Sequence, residues 1–316
     1  MPKKLTKREW VEKYKSTLQN EDIIEVINKP ELPATRLGPW SFLKLACIWS
    51  YAYYTYSSII GPKYKNMCYV DLFSGSGLVS FLDKSGQEQL LLGSPILMAT
   101  INSRYPFSKC FFFEKENGDA LEERLKILKE NGLLTCRDYK VFPEDCNEGI
   151  NKVINALRKL DGAHYLLFVD PFSTEIHWKT MEKLLTARYP AFDMFFNFQP
   201  FGINRKSYHP ETLPAFFGDE GYKEYLEIAE EDSKLDALKN YYIQKLQKFE
   251  EKIKTISTIR VKSGKGGFYY DLIYTTRKKD PAWLRGIKHL RKIVEGMTGM
   301  DVSIIFDKSF RSLDMY

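Results

Sequence analysis

The amino-acid sequence predicts an α/β fold built on a mostly parallel sheet of seven strands, with an antiparallel hairpin at one edge, a helical N-terminal segment and a helical insertion. Three observations predict it. From residue 67 onward, short apolar runs alternate with helical stretches: MCYVDLF, KCFFFEK, YKVFPED, YLLFVDP and FDMFFNF. These runs have little polar alternation, as expected of parallel strands covered by helices on both faces. Further on, TISTIRV and FYYDLIYTT flank the glycine-rich KSGKGG, which is the pattern of a hairpin.

The 316 residues, 44% of them apolar, suffice for one elaborated domain with a proper core, and no repeat or low-complexity tract argues for two. Residues 1–65 read as a helical cap on a sheet domain spanning 66–316. In the cap, Gly38-Pro39 breaks the chain before WSFLKLACIWSYAYYTY, whose apolar residues recur at helical spacing. Its aromatic residues Trp40, Trp49, Tyr51, Tyr53, Tyr54 and Tyr56 read as core, with stacking on bases as the alternative. Helices are expected over 117–131, stopped by Gly132, and over 147–160, stopped near Gly162. The charged stretch 219–254 carries Leu, Ile and Tyr at helical intervals and predicts one or two amphipathic helices in an insertion at 205–254.

Composition narrows the classes of function. No stretch reaches the ~18–20 uncharged apolar residues that a bilayer span needs, so no membrane span is expected. The five cysteines are odd in number and scattered, and MPKKLTKREW has no apolar run behind its charges, so a cytoplasmic location is expected. No cysteine pair has C-x-x-C spacing, and His164, His177, His209 and His289 lie far apart, so no metal centre is expected. The net charge of +6 is uneven: +5 over residues 1–70 (11 basic, 6 acidic), −6 over 71–250 (22 and 28) and +7 over 251–316 (14 and 7). The basic ends predict either a phosphate-binding face assembled from both, able to hold nucleic acid, or ordinary solvated surface.

In an open parallel sheet, ligands bind at the carboxyl ends of the strands, near the point where strand order reverses. The candidate site is therefore read from strand ends. The first strand ends DLFSGSG, where Asp71 closes the strand, Phe73 enters the turn, and Gly75 and Gly77 permit a close backbone approach. A carboxylate ahead of such a turn suits a ligand with an ammonium, such as S-adenosylmethionine (SAM), better than a nucleotide phosphate. In GSPIL, Ser94 reads as an N-cap and Pro95 as the first helical position, with helix amides that could also face the SAM carboxylate. Glu114 ends the second strand, where a carboxylate can accept from both ribose hydroxyls; otherwise it pairs with Lys115 or Lys109. PEDCNE places Asp145 and Asn147 where an adenine amino group can be read, unless either is a helix N-cap. VDPF offers Asp170 and the Pro171 carbonyl as acceptors for a substrate amine, with Phe172 to stack on a planar base; the alternative is a strand stopped by a proline. Asn197 and Gln199 lie beside the same edge, with Arg205 just beyond.

With these segments in order, the chain resembles the three-Cys-motif partner family of methyltransferase-like proteins. The resemblance is carried by GPWSFLKL at 38–45, YVDLFSGSG at 69–77, GSPILMA at 93–99, FFFEK at 111–115, EDCNEGI at 144–150, FVDPF at 168–172, FFNFQPFGINR at 195–205 and YYDLIYTTR at 269–277. It implies a Rossmann-like class I methyltransferase fold, SAM as cofactor and a partner protein with a three-cysteine motif, but no particular methyl acceptor. Ser76 stands where the family has proline in the glycine turn, and Ser173 where it has glycine after the D-P-aromatic step. The DPF step is also similar to the D-P-P-Y motif of methyltransferases acting on adenine N6 or cytosine N4, without its second proline. The expected function is transfer of a methyl group from SAM to an amine or other nucleophile, with Asp170, Pro171, Phe172 and Asn197 at the catalytic edge. A catalytically silent assembly partner and a nucleic-acid-binding module are the alternatives.

Overall fold

The computed structural model describes residues 5–187, 190–206 and 211–307. In chain order its strands are β1 (Thr35–Arg36), β2 (Asn66–Asp71), β3 (Leu78–Leu82), β4 (Glu88–Leu92), β5 (Lys109–Phe113), β6 (Tyr139–Phe142), β7 (Ala163–Val169), β8 (Ala191–Phe198), β9 (Thr255–Lys262) and β10 (Tyr269–Thr276). Its helices are α1 (Lys7–Leu18), α2 (Glu21–Ile27), α3 (Ser41–Ser50), α4 (Ser94–Ala99), α5 (Gly118–Glu130), α6 (Cys146–Arg158), α7 (Trp178–Thr186), α8 (Pro200–Arg205), α9 (Thr212–Phe217), α10 (Tyr222–Ile228), α11 (Lys234–Gln247), α12 (Leu284–Val294) and α13 (Gly299–Phe306).

Seven strands join in the order β6-β5-β2-β7-β8-β10-β9. The first five are parallel, and β10 runs antiparallel to both β8 and β9. The chain builds outward from β2 through β5 to β6, then returns to the other side of β2 to lay down β7 and β8. This is the Rossmann-like class I methyltransferase arrangement, and it puts the reversal of strand order between β2 and β7, beside Asp71, where DLFSGSG begins. The apolar runs and the hairpin lie where the sequence predicts them.

The lack of polar alternation in these runs has a direct cause: both faces of the sheet are covered. Tyr69, Phe112, Leu166, Phe168 and Phe195 face one side, in a core with Trp10, Phe42, Leu121 and Ile287. Val70, Phe111, Phe113, Leu167, Val169 and Phe196 face the other, with Ile150, Met181, Phe216 and Tyr242. Alternate residues of each strand thus feed two separate cores. The N-terminal helices belong to the first, and the helices of the insertion to the second.

Three features differ from the sequence expectation or were not part of it. The N-terminal helices are interrupted by an extended stretch whose β1 pairs with β3 (Thr35↔Val79), and β3 pairs with β4 (Leu78↔Leu92), making a second, three-stranded sheet. The helix after Gly38-Pro39 does not stay α-helical, since α3 runs on into a π-helix over Tyr51–Ile60. The wider turn aligns residues five apart, so Tyr51 and Tyr56 are both buried while Tyr54 is 45% exposed. Finally, α12 and α13 follow the hairpin. Among the described residues no helix is long and apolar enough to cross a membrane.

Arg124 on α5 is fully buried and joins these parts. Its guanidinium donates to the carbonyls of Ile27 (3.3 Å), Leu32 (2.8 Å), Pro33 (3.0 Å) and Ser76 (2.6 Å). It thereby fastens the extended stretch after α2 to the glycine turn. In Arg124→Met, several buried carbonyls lose their donors, and urea unfolding is expected to show a loss of about 3 kcal/mol or more. A change within experimental error would contradict this role.

Candidate active site

The DLFSGSG turn departs from β2 at Asp71, whose side chain is sealed from solvent at 0% exposure. Its carboxylate accepts from Tyr69 Oη (3.0 Å), the Phe73 amide (3.2 Å) and Ser94 Oγ (2.7 Å). Burial pushes its pKa up to about 7, against the three hydrogen bonds that favour the ionised form. Asp71 therefore binds the strand, the turn and α4 together from within. Ser94 is consequently not the N-cap that the sequence suggests. Gly93 occupies that position, Ser94 begins α4, Pro95 is second, and the Ser94 hydroxyl is taken by Asp71.

Both turn glycines have left-handed backbones, Gly75 at φ +63° and Gly77 at φ +95°, but for different reasons. A Cβ on Gly77 would press on Ile96 and Leu121 at 3.1–3.2 Å, so packing of the turn on α4 and α5 requires glycine there. At Gly75 it would meet only Thr35 Oγ1, at 3.4 Å. The turn is thus open on its Gly75 side. Phe73 is half-buried against the second core.

Glu114, just past β5, is half-buried and reaches this open side. Its Oε2 accepts from the Gly75 amide at 2.7 Å, and its Oε1 from the amides of Glu116 and Asn117, each at 3.0 Å. A carboxylate offers about four acceptor positions, so capacity remains for a ligand hydroxyl. The alternative pairing with lysine is not found: Lys109 pairs with Asp138, and Lys115 lies 3.8 Å from Asp145. Asp145 is the N-cap of α6, accepting from the Asn147 amide at 2.8 Å. Asn147 corrects the sequence expectation of adenine recognition. Its Oδ1 accepts from the His177 amide (2.9 Å) and Thr180 Oγ1 (2.8 Å), and its Nδ2 donates to the Glu175 carbonyl (2.7 Å). With both Oδ1 lone pairs filled it offers no acceptor to an amino group. It instead braces the loop after β7 onto α6.

On the other side of the reversal point, Asp170 follows β7. Its Oδ1 accepts from Asn197 Nδ2 at 2.6 Å, and its Oδ2 pairs with Lys44 Nζ at 2.5 Å. The Pro171 carbonyl accepts from Gln199 Nε2 at 2.8 Å, while Phe172 is 64% exposed. Asp170, Pro171, Asn197 and Gln199 therefore come together. Arg205 does not join them through its Nε, which turns back to the Phe201 carbonyl at 3.4 Å. Two buried atoms in this region, Asn197 Oδ1 and Ser173 Oγ, have no hydrogen-bond partner in the protein.

Lys44 is the residue that sequence reasoning missed. It is only 6% exposed, on α3, and Tyr270 of the hairpin lies 5.8 Å from its Nζ and bonds the Trp40 carbonyl. Its signal was present in SFLKLACIWS, where one charge sits in an otherwise apolar and uncharged helix. A lysine buried at such a position needs an anionic partner.

No protein-family model and no curated protein matches the chain. Among solved structures, it is similar to an O-methyltransferase from Bacillus cereus in complex with SAH, at 11% identity and a TM-score of 0.40, covering 86% of this chain and all of that one. It is also similar to a structure from Klebsiella pneumoniae assigned to the O-methyltransferases, at 13% identity and a TM-score of 0.37, covering 81% of this chain and 89% of that one. The fold follows from strand order and register, independently of these likenesses.

The buried carboxylates make stability depend on pH. Asp71 is raised to about 7 and Asp193, which accepts from Tyr51 Oη at 2.7 Å, to about 6, in both cases chiefly by burial. An unfolded aspartate titrates near ~3.9. At these two groups the native state holds more protons than the unfolded one between that value and about 7, so their contribution to unfolding free energy falls as pH rises, while His164, held down to about 3 chiefly by burial, contributes the opposite slope below its ordinary value. Denaturant unfolding of the wild type and Asp71→Asn from pH 4 to 8 is expected to show that the variant lacks the Asp71 contribution, so that its unfolding free energy rises relative to the wild type as pH increases toward 7; a constant difference between the two proteins would count against a buried, proton-binding Asp71.

Proposed function

We propose that the protein is a SAM-dependent methyltransferase, with the donor along the carboxyl ends of β2, β5 and β6 and the acceptor beside Asp170. The observation that supports this most directly is the Glu114–Gly75 contact of 2.7 Å, which joins the carboxyl ends of the neighbouring strands β5 and β2, one strand from the reversal of strand order. It sets a carboxylate with spare acceptor capacity beside a left-handed turn that is open at Gly75. A ribose hydroxyl fits the one acceptor position that remains on this carboxylate, and the turn's backbone suits the amino-acid end of the same molecule. The residues that would hold SAM are the turn from Phe73 to Gly77, with Glu114 for the ribose and Asp145 nearby for the adenine.

SAM, when bound, supplies a sulfonium-activated methyl group. The chain's own residues then position the acceptor. The Lys44–Asp170 pair carries no net charge, which suits a neutral nucleophile with a free lone pair rather than an ammonium. Asn197 fixes the Asp170 carboxylate, Gln199 fixes the Pro171 carbonyl, and the exposed Phe172 ring offers a flat face to a planar acceptor. Calorimetry is expected to detect SAM binding, weakened about tenfold or more in Gly75→Val and Glu114→Gln, in line with the loss of a hydrogen bond to a charged group. No binding to the wild type would sink the proposal.

A second reading retains the pocket without transfer, as an assembly module. One observation favours it: the Asp170 carboxylate and the Pro171 carbonyl are already engaged by Lys44, Asn197 and Gln199. The two readings separate on Asp170→Asn. If the protein transfers methyl groups, this variant binds SAM with near wild-type affinity but transfers label from radioactive SAM at least about tenfold more slowly. If it is a silent module, no transfer is seen in either protein.

A further inference from the structure

The two basic segments of the sequence meet at the opposite end of the sheet. A cavity of about 420 Å³ is lined there by Lys63, Lys254, Arg277, Lys278, Lys279 and the Trp283 indole. Its place in the fold follows from the strands. His164 and Ala191, at the starts of β7 and β8, line it together with Thr276, the last residue of antiparallel β10, which pairs with Asp193. It therefore lies at the amino edge of the parallel strands, across the sheet from Asp71, Glu114 and Asp170.

Three separate stretches supply the cations. Lys63 follows the π-helix, Lys254 precedes β9, and Arg277, Lys278 and Lys279 follow β10. All five are exposed, and among the described residues none of them forms an ion pair. The one carboxylate in the lining, Asp193, is 1% exposed and accepts from the Tyr51 hydroxyl, so five exposed cations face a single buried carboxylate. Neighbouring groups register the positive field. Burial and then Lys278 hold His164 down to about 3, and burial and then Arg277 lower Lys252. Such convergence of like charge is costly unless an anion shares the space.

The wall adds a second preference. Trp283 is half-buried, its Nε1 donates to the Tyr274 hydroxyl at 2.9 Å, and Lys63 Nζ stands 5.8 Å from the ring. A held indole beside five cations fits a ligand that joins phosphate to a planar base. The cavity is also within the size range of small-ligand sites. We infer that this pocket binds the phosphate of a nucleotide, either free or at the end of an oligonucleotide, independently of the strand-end site proposed for SAM.

The test uses the full-length protein at low ionic strength. AMP, ATP and a short single-stranded oligonucleotide phosphorylated at its 5′ end are titrated by calorimetry or fluorescence anisotropy, beside adenosine and the unphosphorylated oligonucleotide. At least one phosphorylated probe is expected to bind more tightly than its phosphate-free counterpart, with inorganic phosphate competing. Lys278→Glu/Lys279→Glu is expected to weaken that binding about tenfold or more, whereas Lys126→Glu/Lys129→Glu on α5, with the same change in charge, is not. Binding of AMP or ATP identifies a free nucleotide, and binding of the phosphorylated oligonucleotide alone identifies a strand end. Should the double variant fold poorly, Lys63→Glu tests the same pocket from another element. Absence of binding by every phosphorylated probe, equal binding of phosphate-free probes, or equal weakening by the α5 control would overturn the inference. SAM affinity measured in the same proteins reports separately on the methyl-donor site.

Discussion

Asp71 sits at the end of the central strand with no access to water, and a carboxylate so placed has to be met by donors from the protein. The donors come from three pieces of chain: a strand tyrosine, the first amide of the turn, and the serine that opens α4. Meeting this one group sets the course of the turn and the position of the helix beneath it. Glu114 repeats the device from the neighbouring strand, joining the turn's Gly75 amide to the start of α5. The two carboxylates make different uses of the same chemistry. Asp71 is spent inward on structure, while Glu114 stays half-buried at the surface with capacity for a ligand.

The N-terminal segment is bound into this arrangement by polar contacts as well as by core packing. It presents carbonyls to Arg124, gives the Tyr51 hydroxyl to Asp193, and delivers Lys44 to Asp170. Removing one partner of a buried pair leaves the other charge uncompensated, so each contact constrains its position strongly. The Lys44–Asp170 pair matters most for chemistry, since it joins a helix from the start of the chain to the loop after the fourth parallel strand. The edge where an acceptor would sit is thus assembled from α3, β7 and β8 together.

Much of the fold was legible because its signals are local. YVDLF, KCFFF and YLLFV are apolar enough to be strands with two covered faces, and Asp145 lies at the boundary where α6 begins. The turn glycines were legible as well, although the sequence does not separate Gly75, which faces open space, from Gly77, which packs on Ile96 and Leu121. What stayed hidden depends on partners distant in the chain. Asn147 looks like a free polar residue until His177 and Thr180 fold onto it, and Lys44 looks anomalous until Asp170 is placed beside it. The small sheet escaped because LVSFL follows directly on the glycine turn, and its partner β1 lies across α3 and β2 in sequence. Likewise, segment charges indicated two basic ends, but only the packing of Lys63 near Arg277, Lys278 and Lys279 turns them into one cavity.

The strand-end surface is proposed to hold SAM through the Gly75 side of the turn and Glu114. A crystal structure of the protein grown with saturating SAH tests it most directly. The ligand is predicted to lie across Gly75, with a ribose hydroxyl within hydrogen-bond distance of Glu114 Oε2 and its sulfur directed toward Asp170. SAH bound elsewhere on the molecule, or no SAH bound at saturation, would contradict it.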